Sequence, residues 1–295
     1  VFEVMSTRPA CKSCTGQCPI KVSVPTFRSH FLSAYYTRYS RPFKDWIIGT
    51  LEYVLPLAAQ VPQLYNGLVE SRLGRRLFAV LGLVDSPSLS RIDPHTAISG
   101  AGSQIADLKR LAEIEGDDSE RFSRQVVIVQ DAFTSYFETQ TVVDLFNLLK
   151  LLEFEPSLMP FHPNGKPLHV HGFLGWFKRL AASNASKLRL VDKLGIPIIG
   201  LDPSMILTYR SEYQEANIEV PYIQLVQEFI AKLLVQRRIA TTLQVKRFRL
   251  LAHCTEATNA RESLNLWKPI SRWLDIHWLS SQSVVAGWLG HTDTK

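Results

Sequence analysis

Short apolar runs, the first of them rich in β-branched residues, alternate with segments of helical periodicity from residue 124 onward, and this alternation constrains the fold more than any other feature. Four runs predict buried strands: RQVVIVQD (124–131), PSLMPF (156–161), GIPIIGLDP (195–203) and RFRLLAHC (247–254). Helical spacing separates these runs at 141–154, 173–194 and 223–238. Strands that alternate with helices form right-handed crossovers, so this region is predicted to be an α/β domain with a parallel sheet.

The first 85 residues show helical spacing instead of strand patterns. Predicted helices lie in FRSHFLSAYYTRY (27–39), DWIIGTLEYVL (45–55) and SRLGRRLFAVLGLV (71–84). Residues 85–104 are rich in Ser, Pro and Gly, which is typical of a linker, and a short polar helix is expected at 104–115. The predicted organisation is therefore a helical domain at 1–85, a linker with a short helix at 86–123, and the α/β domain at 124–295.

Three of the four cysteines lie within eight residues, in the spacing C-x2-C-x3-C followed by proline. A bacterial iron–sulfur run reads C-x2-C-x2-C-x3-C-P, and Cys11, Cys14 and Cys18 match its last three ligands. Arg8 occupies the position of the first ligand. The cysteine before proline conventionally binds a second cluster, which assigns Cys18 to that role. The alternative is a zinc loop, with His30 as a weak fourth ligand, or three free thiols.

Other polar residues follow the predicted strands of the α/β region. Asp131 and Asp202 end two of them and are expected to cap the next segments. Cys254 ends the fourth predicted strand, where α/β proteins build sites, although a lone cysteine is more often a small buried apolar residue. Gly165, in the loop PNGK, is expected to take a positive φ.

Neither a metal site nor a nucleotide site is indicated by the remaining sequence patterns. Three histidines, His162, His169 and His171, lie in FHPNGKPLHVHGF, but a polar loop explains them better than a metal site does, because no carboxylate or cysteine is near them in sequence. No glycine-rich phosphate-binding pattern of either common type occurs, so no nucleotide site is evident.

Composition and charge narrow the function classes. The chain is 46% hydrophobic and 20% charged, which is an ordinary composition for a protein with sizeable cores. Its net charge of +6 comes from residues 1–80, which hold ten Lys and Arg against four Asp and Glu. This excess favours a docking face for an acidic partner or another domain, or a plain solvated face, over nucleic acid, for which no motif is present.

Targeting signals are not evident in the sequence. The longest apolar segment (46–61) has 16 residues and contains Glu52 and Pro56, so no transmembrane segment is predicted. No signal peptide and no initiator Met are seen, so the chain is expected to be cytoplasmic and to continue upstream.

Several segments together resemble the C-terminal half of large bacterial FAD-linked D-2-hydroxyacid dehydrogenases, of the D-2-hydroxyglutarate or D-lactate type. The similarity is carried by ACKSCTGQCPIKVSVPTFRSHFL, YYTRYSRPFKD, VVIVQDAFTSYFE, MPFHPNGKPLHVHGFL, GIPIIGLDPSMILTYRSEY and LLAHCTE. The resemblance implies a helical ferredoxin-like iron–sulfur domain followed by a cysteine-rich α/β domain. Cys11, Cys14 and Cys18 would bind [4Fe-4S] clusters, and Cys254 matches the His-Cys-Thr-Glu motif of the last domain.

The same resemblance implies a role and a set of partners. This chain would carry electrons from FAD, bound by an upstream flavin domain or by a separate flavoprotein subunit, to an acceptor that the sequence does not identify. It would contain no catalytic residue for hydroxyacid oxidation. Two alternatives stay open: a cluster-less or zinc-binding scaffold, and a separate iron–sulfur subunit of a flavoprotein complex.

Two departures from the family pattern stand out. Arg8 replaces a cysteine, although a single base separates an Arg codon from a Cys codon. The expected Gly-Cys-Cys-Gly is absent, and SVVAGWLGHTDTK stands in its place. If the reading frame is shifted back by one base from Val284, the last twelve residues become compatible with Gly-Cys-Cys-Gly-Met-Ala-Gly-Thr-Tyr-Gly-His-Glu. We therefore expect a frameshifted translation at this end.

Overall fold

A computed structural model of the chain describes residues 2–7, 23–84, 86–99, 124–236, 246–248, 253–273 and 276–278. The chain divides into two compact units. The first comprises Val1–Ala10 with Pro25–Gln224, and the second comprises Cys11–Val24 with Leu225–Lys295.

The described part of the first unit begins with helices. They are α1 (Phe2–Thr7), α2 (Val24–Tyr35), α3 (Phe43–Gly49), α4 (Leu51–Ala58), α5 (Pro62–Glu70), α6 (Arg72–Val80) and α7 (Pro94–Ser99). The predicted helical segments are confirmed as α2, the pair α3 and α4, and α6. Helix α5 was not predicted; Pro62 in its first turn, where no backbone N–H is required, favours its start.

Helix α7 lies where the Ser, Pro and Gly content predicts a linker. Asp93 starts the helix, because its carboxylate accepts the backbone N–H of Thr96 at 2.9 Å. Pro94 follows in the first turn, and Ile98 is buried. The helix packs against residues 139–151, so this part of the segment is ordered by tertiary contact. The polar helix predicted at 104–115 lies outside the described residues.

A small parallel sheet follows, with the strand order β2-β1-β3-β4. Its strands are β1 (Gln125–Ile128), β2 (Glu155–Leu158), β3 (Ile198–Gly200) and β4 (Gln224–Leu225). Strand β1 pairs in parallel with β2, Val127 opposite Ser157, and with β3, Val127 opposite Ile198. The described chain is thus mostly helical with a small four-stranded sheet, compatible with the predicted combination of a helical part and an α/β part.

Helices connect these strands as the alternating pattern predicts. They are α8 (Ala132–Tyr136), α9 (Thr139–Leu151), α10 (Lys166–Val170), α11 (Leu174–Asp192), α12 (Pro203–Arg210) and α13 (Glu212–Glu215). The core of the unit is built on the β-branched residues of the sheet, and Val126, Val127 and Ile199 are fully buried. Strand β1 is apolar at three successive positions, as expected for a parallel strand with both faces covered.

The described part of the second unit contains four helices and two paired strands. The helices are α14 (Val226–Gln236), α15 (Cys254–Asn259), α16 (Arg261–Asn265) and α17 (Trp267–Trp273). Strands β5 (Lys246–Phe248) and β6 (Ile276–Trp278) pair in parallel.

The prediction that the fourth strand extends from 247 to Cys254 is wrong. Strand β5 spans Lys246–Phe248, and Cys254 is the first residue of α15. A helix cap explains the difference, since the ring of His253 accepts the backbone N–H of Thr255 at 3.3 Å. An apolar run does not reveal a cap at its end, so the strand was extended too far.

Candidate functional site at the carboxyl end of the sheet

The loops after the first three strands meet at one edge of the sheet. Asp131 follows β1, the loop 162–165 follows β2, and Asp202 follows β3. Because the three strands are parallel neighbours, their carboxyl ends lie on the same side, which is where α/β proteins place ligands. This edge is therefore the candidate site, and its polar groups decide what it can do.

Both aspartates cap the helices that follow them, as predicted. Asp131 accepts the backbone N–H groups of Phe133 and Thr134, each at 2.9 Å, at the start of α8. Asp202 accepts the N–H of Met205 at 2.7 Å at the start of α12. Burial and then the charge of Asp202 raise the pKa of Asp131 to about 6, although the bonds from Thr134 and Phe133 oppose that shift.

Glu52 enters the same region from helix α4. Its two carboxylate oxygens accept the backbone N–H groups of Asn164 at 2.9 Å and Gly165 at 2.7 Å. The residue is 1% exposed, and burial raises its pKa to about 7 despite these two hydrogen bonds. Asp131 raises the pKa further, whereas Lys166 lowers it. In the sequence, Glu52 is visible only as an interruption of an apolar segment, and no local pattern indicates its partners.

The loop around Asn164 and Gly165 is shaped to receive that carboxylate. Gly165 has a φ of 85°, which confirms the predicted positive φ, and a Cβ there would lie 2.9 Å from Phe177. The Asn164 side chain donates to the carbonyl of Met205 at 3.1 Å, and the Tyr213 hydroxyl donates to the carbonyl of Asn164 at 2.8 Å. Both N–H groups thus point at Glu52 from a fixed backbone.

Lys166 connects this set of polar residues to the loop after β3. Its ammonium donates to the carbonyl of Ser204 at 2.6 Å and to the hydroxyl of Ser204 at 2.5 Å. The loops after β2 and β3 are therefore joined by a charged donor. Lys166 was predicted only as part of a loop sequence, and this role requires the tertiary fold.

The three histidines of the loop have separate partners. The ring of His162 lies 3.1 Å from the ammonium of Lys187, and burial, followed by that charge, lowers the pKa of His162. His169 is buried with its ring against Phe177. In the part of the chain that the structure describes, no group of three or more His, Cys, Asp or Glu side chains is arranged to hold a metal ion.

His171 belongs to a second polar cluster, which joins the loop after α10 to α2 and α3. Its Nδ1 lies 3.3 Å from Asp45, an ion-pair distance without hydrogen-bond geometry, and the Tyr36 hydroxyl donates to Asp45 at 3.0 Å. Burial alone would raise the pKa of Asp45, but His171, Tyr36 and Arg41 together hold it below its usual value. The guanidinium of Arg41 lies 4.2 Å from the Tyr36 ring and 3.8 Å from the Phe173 ring.

The structure describes little of the four cysteines. Cys11, Cys14 and Cys18 lie outside the described residues, and only the backbone of Cys254 is described, at the start of α15. Thr255 and Glu256, directly after Cys254, are buried, and Glu256 accepts a hydrogen bond from Gln227 at 2.6 Å. Gln227 also donates to the hydroxyl of Ser263 at 2.9 Å, and burial raises the pKa of Glu256.

These arrangements define what the described residues do chemically. Glu52 and Asp131 could each hold a proton near neutral pH. The polar atoms of this edge, however, mainly contact one another, so their direct effect is to fasten α4 and the loops after β1, β2 and β3 together. The edge is a buried polar anchor that holds the shape of the first unit.

The chain is similar to three curated proteins that share one name. It is 40% identical over 293 residues to the D-2-hydroxyglutarate dehydrogenase of Pseudomonas putida, an alignment that covers 98% of this chain and 28% of that protein. It is 40% identical over 262 residues to the Escherichia coli protein of that name, covering 88% of this chain and 25% of the relative. For the Haemophilus influenzae protein the identity is 35% over 284 residues, covering 92% and 27%.

No family model matches the chain. No solved structure matches it either. None of the helices within the described ranges is long and apolar enough to cross a membrane. The chain spans about a quarter of the length of the curated relatives, and over nearly its whole length it is homologous to a segment of D-2-hydroxyglutarate dehydrogenases.

Proposed function

We propose that this chain is the electron-transfer part of an FAD-linked D-2-hydroxyacid dehydrogenase that oxidises D-2-hydroxyglutarate or a related substrate. The observation that carries the proposal is the 40% identity to a D-2-hydroxyglutarate dehydrogenase over 98% of the chain. In such an enzyme the flavin takes the two electrons of the substrate's CH–OH centre, and iron–sulfur clusters carry them to an acceptor. The proposed partner is the flavin domain, in the same polypeptide or in a flavoprotein subunit.

The donor set in the sequence fits an iron–sulfur cluster in kind. Thiolates are the soft ligands that such clusters require, and Cys11, Cys14 and Cys18 provide three at the spacing of a ferredoxin run. Arg8 cannot replace the first ligand, because a guanidinium has only donors. Cys254 is proposed as a further cluster ligand through its His-Cys-Thr-Glu sequence.

Helices on either side of the cysteine run support this assignment. Helix α1 precedes the run, and Pro25–Tyr35 of α2 follow it. Arg28 of α2 donates to the carbonyl of Met5 at 2.7 Å, and the rings of Phe2 and Tyr35 stack at 4.3 Å. These contacts hold residues before and after the run close together, which lowers the entropic cost of placing its cysteines at their clusters.

The test is metal content after anaerobic purification, with Arg8→Cys as the informative variant. The chain with Arg8 is expected to bind substoichiometric iron, because the run lacks one ligand. Arg8→Cys is expected to raise the content of iron and acid-labile sulfide and to produce the electron paramagnetic resonance signal of a reduced cluster. Adding Cys11→Ser or Cys14→Ser to Arg8→Cys should remove that gain, whereas the matched substitution Ser13→Ala should not.

Two results would contradict the proposal. Stoichiometric zinc with no gain of iron in Arg8→Cys would favour a zinc-binding scaffold. A protein that holds neither metal in any variant would favour a scaffold without clusters.

A frameshift at the end of the chain is part of the same proposal. The segment from Val284 is compatible, one base out of frame, with the cysteine-containing motif expected after Cys254. DNA sequencing across codon 8 and from codon 265 onward tests this directly. A Cys codon at position 8 and an open frame through Gly-Cys-Cys-Gly would support the electron-transfer function. Confirmation of Arg8 and GWLGHTDTK would favour a protein that has lost its clusters.

A further inference from the structure

Exposed apolar side chains are concentrated on the helical segment between Phe43 and Val84. Of the 21 large apolar side chains that are exposed among the described residues, 12 lie in this segment. Helices α5 and α6 pack against each other, and five of these twelve exposed side chains lie on them. The α5–α6 surface is defined here by five exposed side chains on these two helices: Leu64, Leu68, Leu73, Leu77 and Val80.

Helix α6 has the pattern of a basic amphipathic helix. Leu73, Leu77 and Val80 recur at intervals of four and three residues, so they form one stripe, and they are 78%, 53% and 85% exposed. The same helix carries Arg72 and Arg76, both exposed, together with Arg75 and no acidic residue. A stripe of aliphatic side chains beside arginines matches helices that lie in the plane of a membrane interface.

Three of the four charged side chains on α5 and α6 are positive. Three acidic residues occur between Phe43 and Val84, and two of them, Asp45 and Glu52, are buried in the polar clusters of the first unit. The third, Glu70, accepts a hydrogen bond from Ser88 at 3.0 Å. A surface that combines exposed arginines with so little exposed negative charge is complementary to an anionic partner.

A cleft of mixed polarity opens beside the same helices. Its volume is about 370 Å³, and Val69 of α5 and Phe78 of α6 contribute to its wall, together with Leu83. Arg75 and Glu70 also line it. Such a cleft next to the leucine stripe provides room for hydrocarbon that enters between the helices.

The composition of the α5–α6 surface distinguishes a lipid partner from a protein partner. Protein interfaces concentrate their binding energy in Trp, Tyr and Arg, and they use Leu and Val less often. The exposed apolar residues of this surface are all Leu or Val. From this composition, the charge and the amphipathic stripe, we propose that the α5–α6 surface binds the face of an anionic phospholipid bilayer. Leu73, Leu77 and Val80 would enter the acyl region, and Arg72 and Arg76 would contact phosphates.

Vesicle flotation of the full chain tests this proposal without requiring any cluster or flavin. Binding is expected to vesicles of mixed phosphatidylcholine and phosphatidylglycerol, to weaken as salt is added, and to be far weaker for phosphatidylcholine alone. Arg72→Gln with Arg76→Gln should weaken binding to the mixed vesicles roughly 30-fold, because each basic residue near an anionic surface contributes about fivefold. Leu73→Ser with Leu77→Ser should weaken it by at least about tenfold.

Matched controls remove charge and apolar area elsewhere. Lys178→Gln with Arg179→Gln on α11, and Leu151→Ser at the end of α9, change exposed residues outside the surface and should leave vesicle binding unchanged. Equal binding to both kinds of vesicle, or equal losses in the control variants, would overturn the proposal. So would a stable dimer in sedimentation that Leu73→Ser with Leu77→Ser dissociates, since the surface would then bind a second copy. A failed cluster test leaves the vesicle result unaffected, so the two proposals fail separately.

Discussion

Glu52 is the only acidic residue in an apolar stretch of 16 residues, and its burial without a cationic hydrogen-bond partner is unusual for a carboxylate. Two backbone N–H groups satisfy it, and they come from a loop 112 and 113 residues further along the chain. A buried carboxylate is tolerated when hydrogen bonds replace its hydration, but burial still raises the pKa. The residue therefore links stability to pH.

Stability should fall as pH rises through the titration of Glu52. The pKa of Glu52 is raised from 4.5 to about 7, so the folded state binds more protons than the unfolded state between these values. The stabilisation that comes from protonation of Glu52 is fully present below pH 4.5 and is lost by about pH 7. The free energy of unfolding therefore falls by about 3 kcal/mol over this range. Glu52→Gln should flatten this part of the profile and lower stability at acid pH by about 1–3 kcal/mol, because one buried N–H loses its acceptor.

Urea unfolding across that pH range measures the effect. Asp131 acts in the same direction between 3.8 and about 6, so a residual slope should remain in the variant. The exposed residue Glu138 provides the control, and Glu138→Gln should leave the profile unchanged. An unaltered slope in Glu52→Gln would show that Glu52 is not the titrating group.

At the scale of elements, the turn between α10 and α11 is fixed by close backbone approach. Gly172 has a φ of 73°, and a Cβ there would lie 2.7 Å from the backbone nitrogen of Ser33 in α2. Gly175, three residues later, would meet no atom within 4 Å. Position 172 therefore has no room for a side chain, whereas position 175 does. The sequence pattern around the two glycines does not reveal this difference.

Gly172→Ala is expected to destabilise the protein by about 2–4 kcal/mol, because a left-handed conformation and a steric overlap add together. Gly175→Ala, the matched variant on α11, should be neutral or stabilising by up to about 1 kcal/mol, since alanine favours a helix. Thermal and urea unfolding of both variants make the comparison. Equal effects would mean that the contact with α2 is absent in solution.

Arg28 connects three helices through main-chain carbonyls. It donates to Met5 of α1 at 2.7 Å and to Val170 of α10 at 2.6 Å, and its own side chain is buried in α2. Arg28→Met should cost about 3–6 kcal/mol, because each of these two hydrogen bonds from a charged donor contributes about 1.5–3 kcal/mol. Hydrogen exchange should show the largest loss of protection in residues 2–7. Arg38→Met, which alters an exposed arginine after α2, should have little effect, and a similar cost there would argue against the proposed contacts.

At the scale of the whole molecule, each compact unit has its own buried polar network. In the second unit, Gln227 donates to both Glu256 and Ser263. Gln227→Ala leaves a buried carboxyl oxygen and a buried hydroxyl without this donor, which should cost about 1–3 kcal/mol. Hydrogen exchange should show the loss of protection in α14, α15 and α16. Val235→Ala, at a position of the same helix that is 87% exposed, is the comparison, and equal losses of protection in the two variants would mean that Gln227 has no special role.

Local patterns predicted much of the secondary structure and some of the candidate site. β-branched runs located β1 and β3, a short apolar run located β2, and helical periodicity located α9, α11 and α14, because burial on a strand or a helix has a period that neighbouring residues reveal. Asp131, Asp202 and Gly165 were predicted correctly for the same reason, since caps and turns use residues within a few positions. The Cys254 strand failed because a helix cap at His253 ended the pattern.

Patterns among neighbouring residues were enough to predict the alternation of strands and helices and the positions of these caps and turns. They also revealed the basic charge of the first 80 residues and the resemblance to D-2-hydroxyacid dehydrogenases. Three features became visible only in the folded chain: Glu52 binds Asn164 and Gly165, Lys166 reaches Ser204, and leucines of α5 and α6 stay exposed. Each of these depends on which distant segments touch. A contact over more than a hundred residues leaves no period in the sequence, because only the folded backbone brings its partners together.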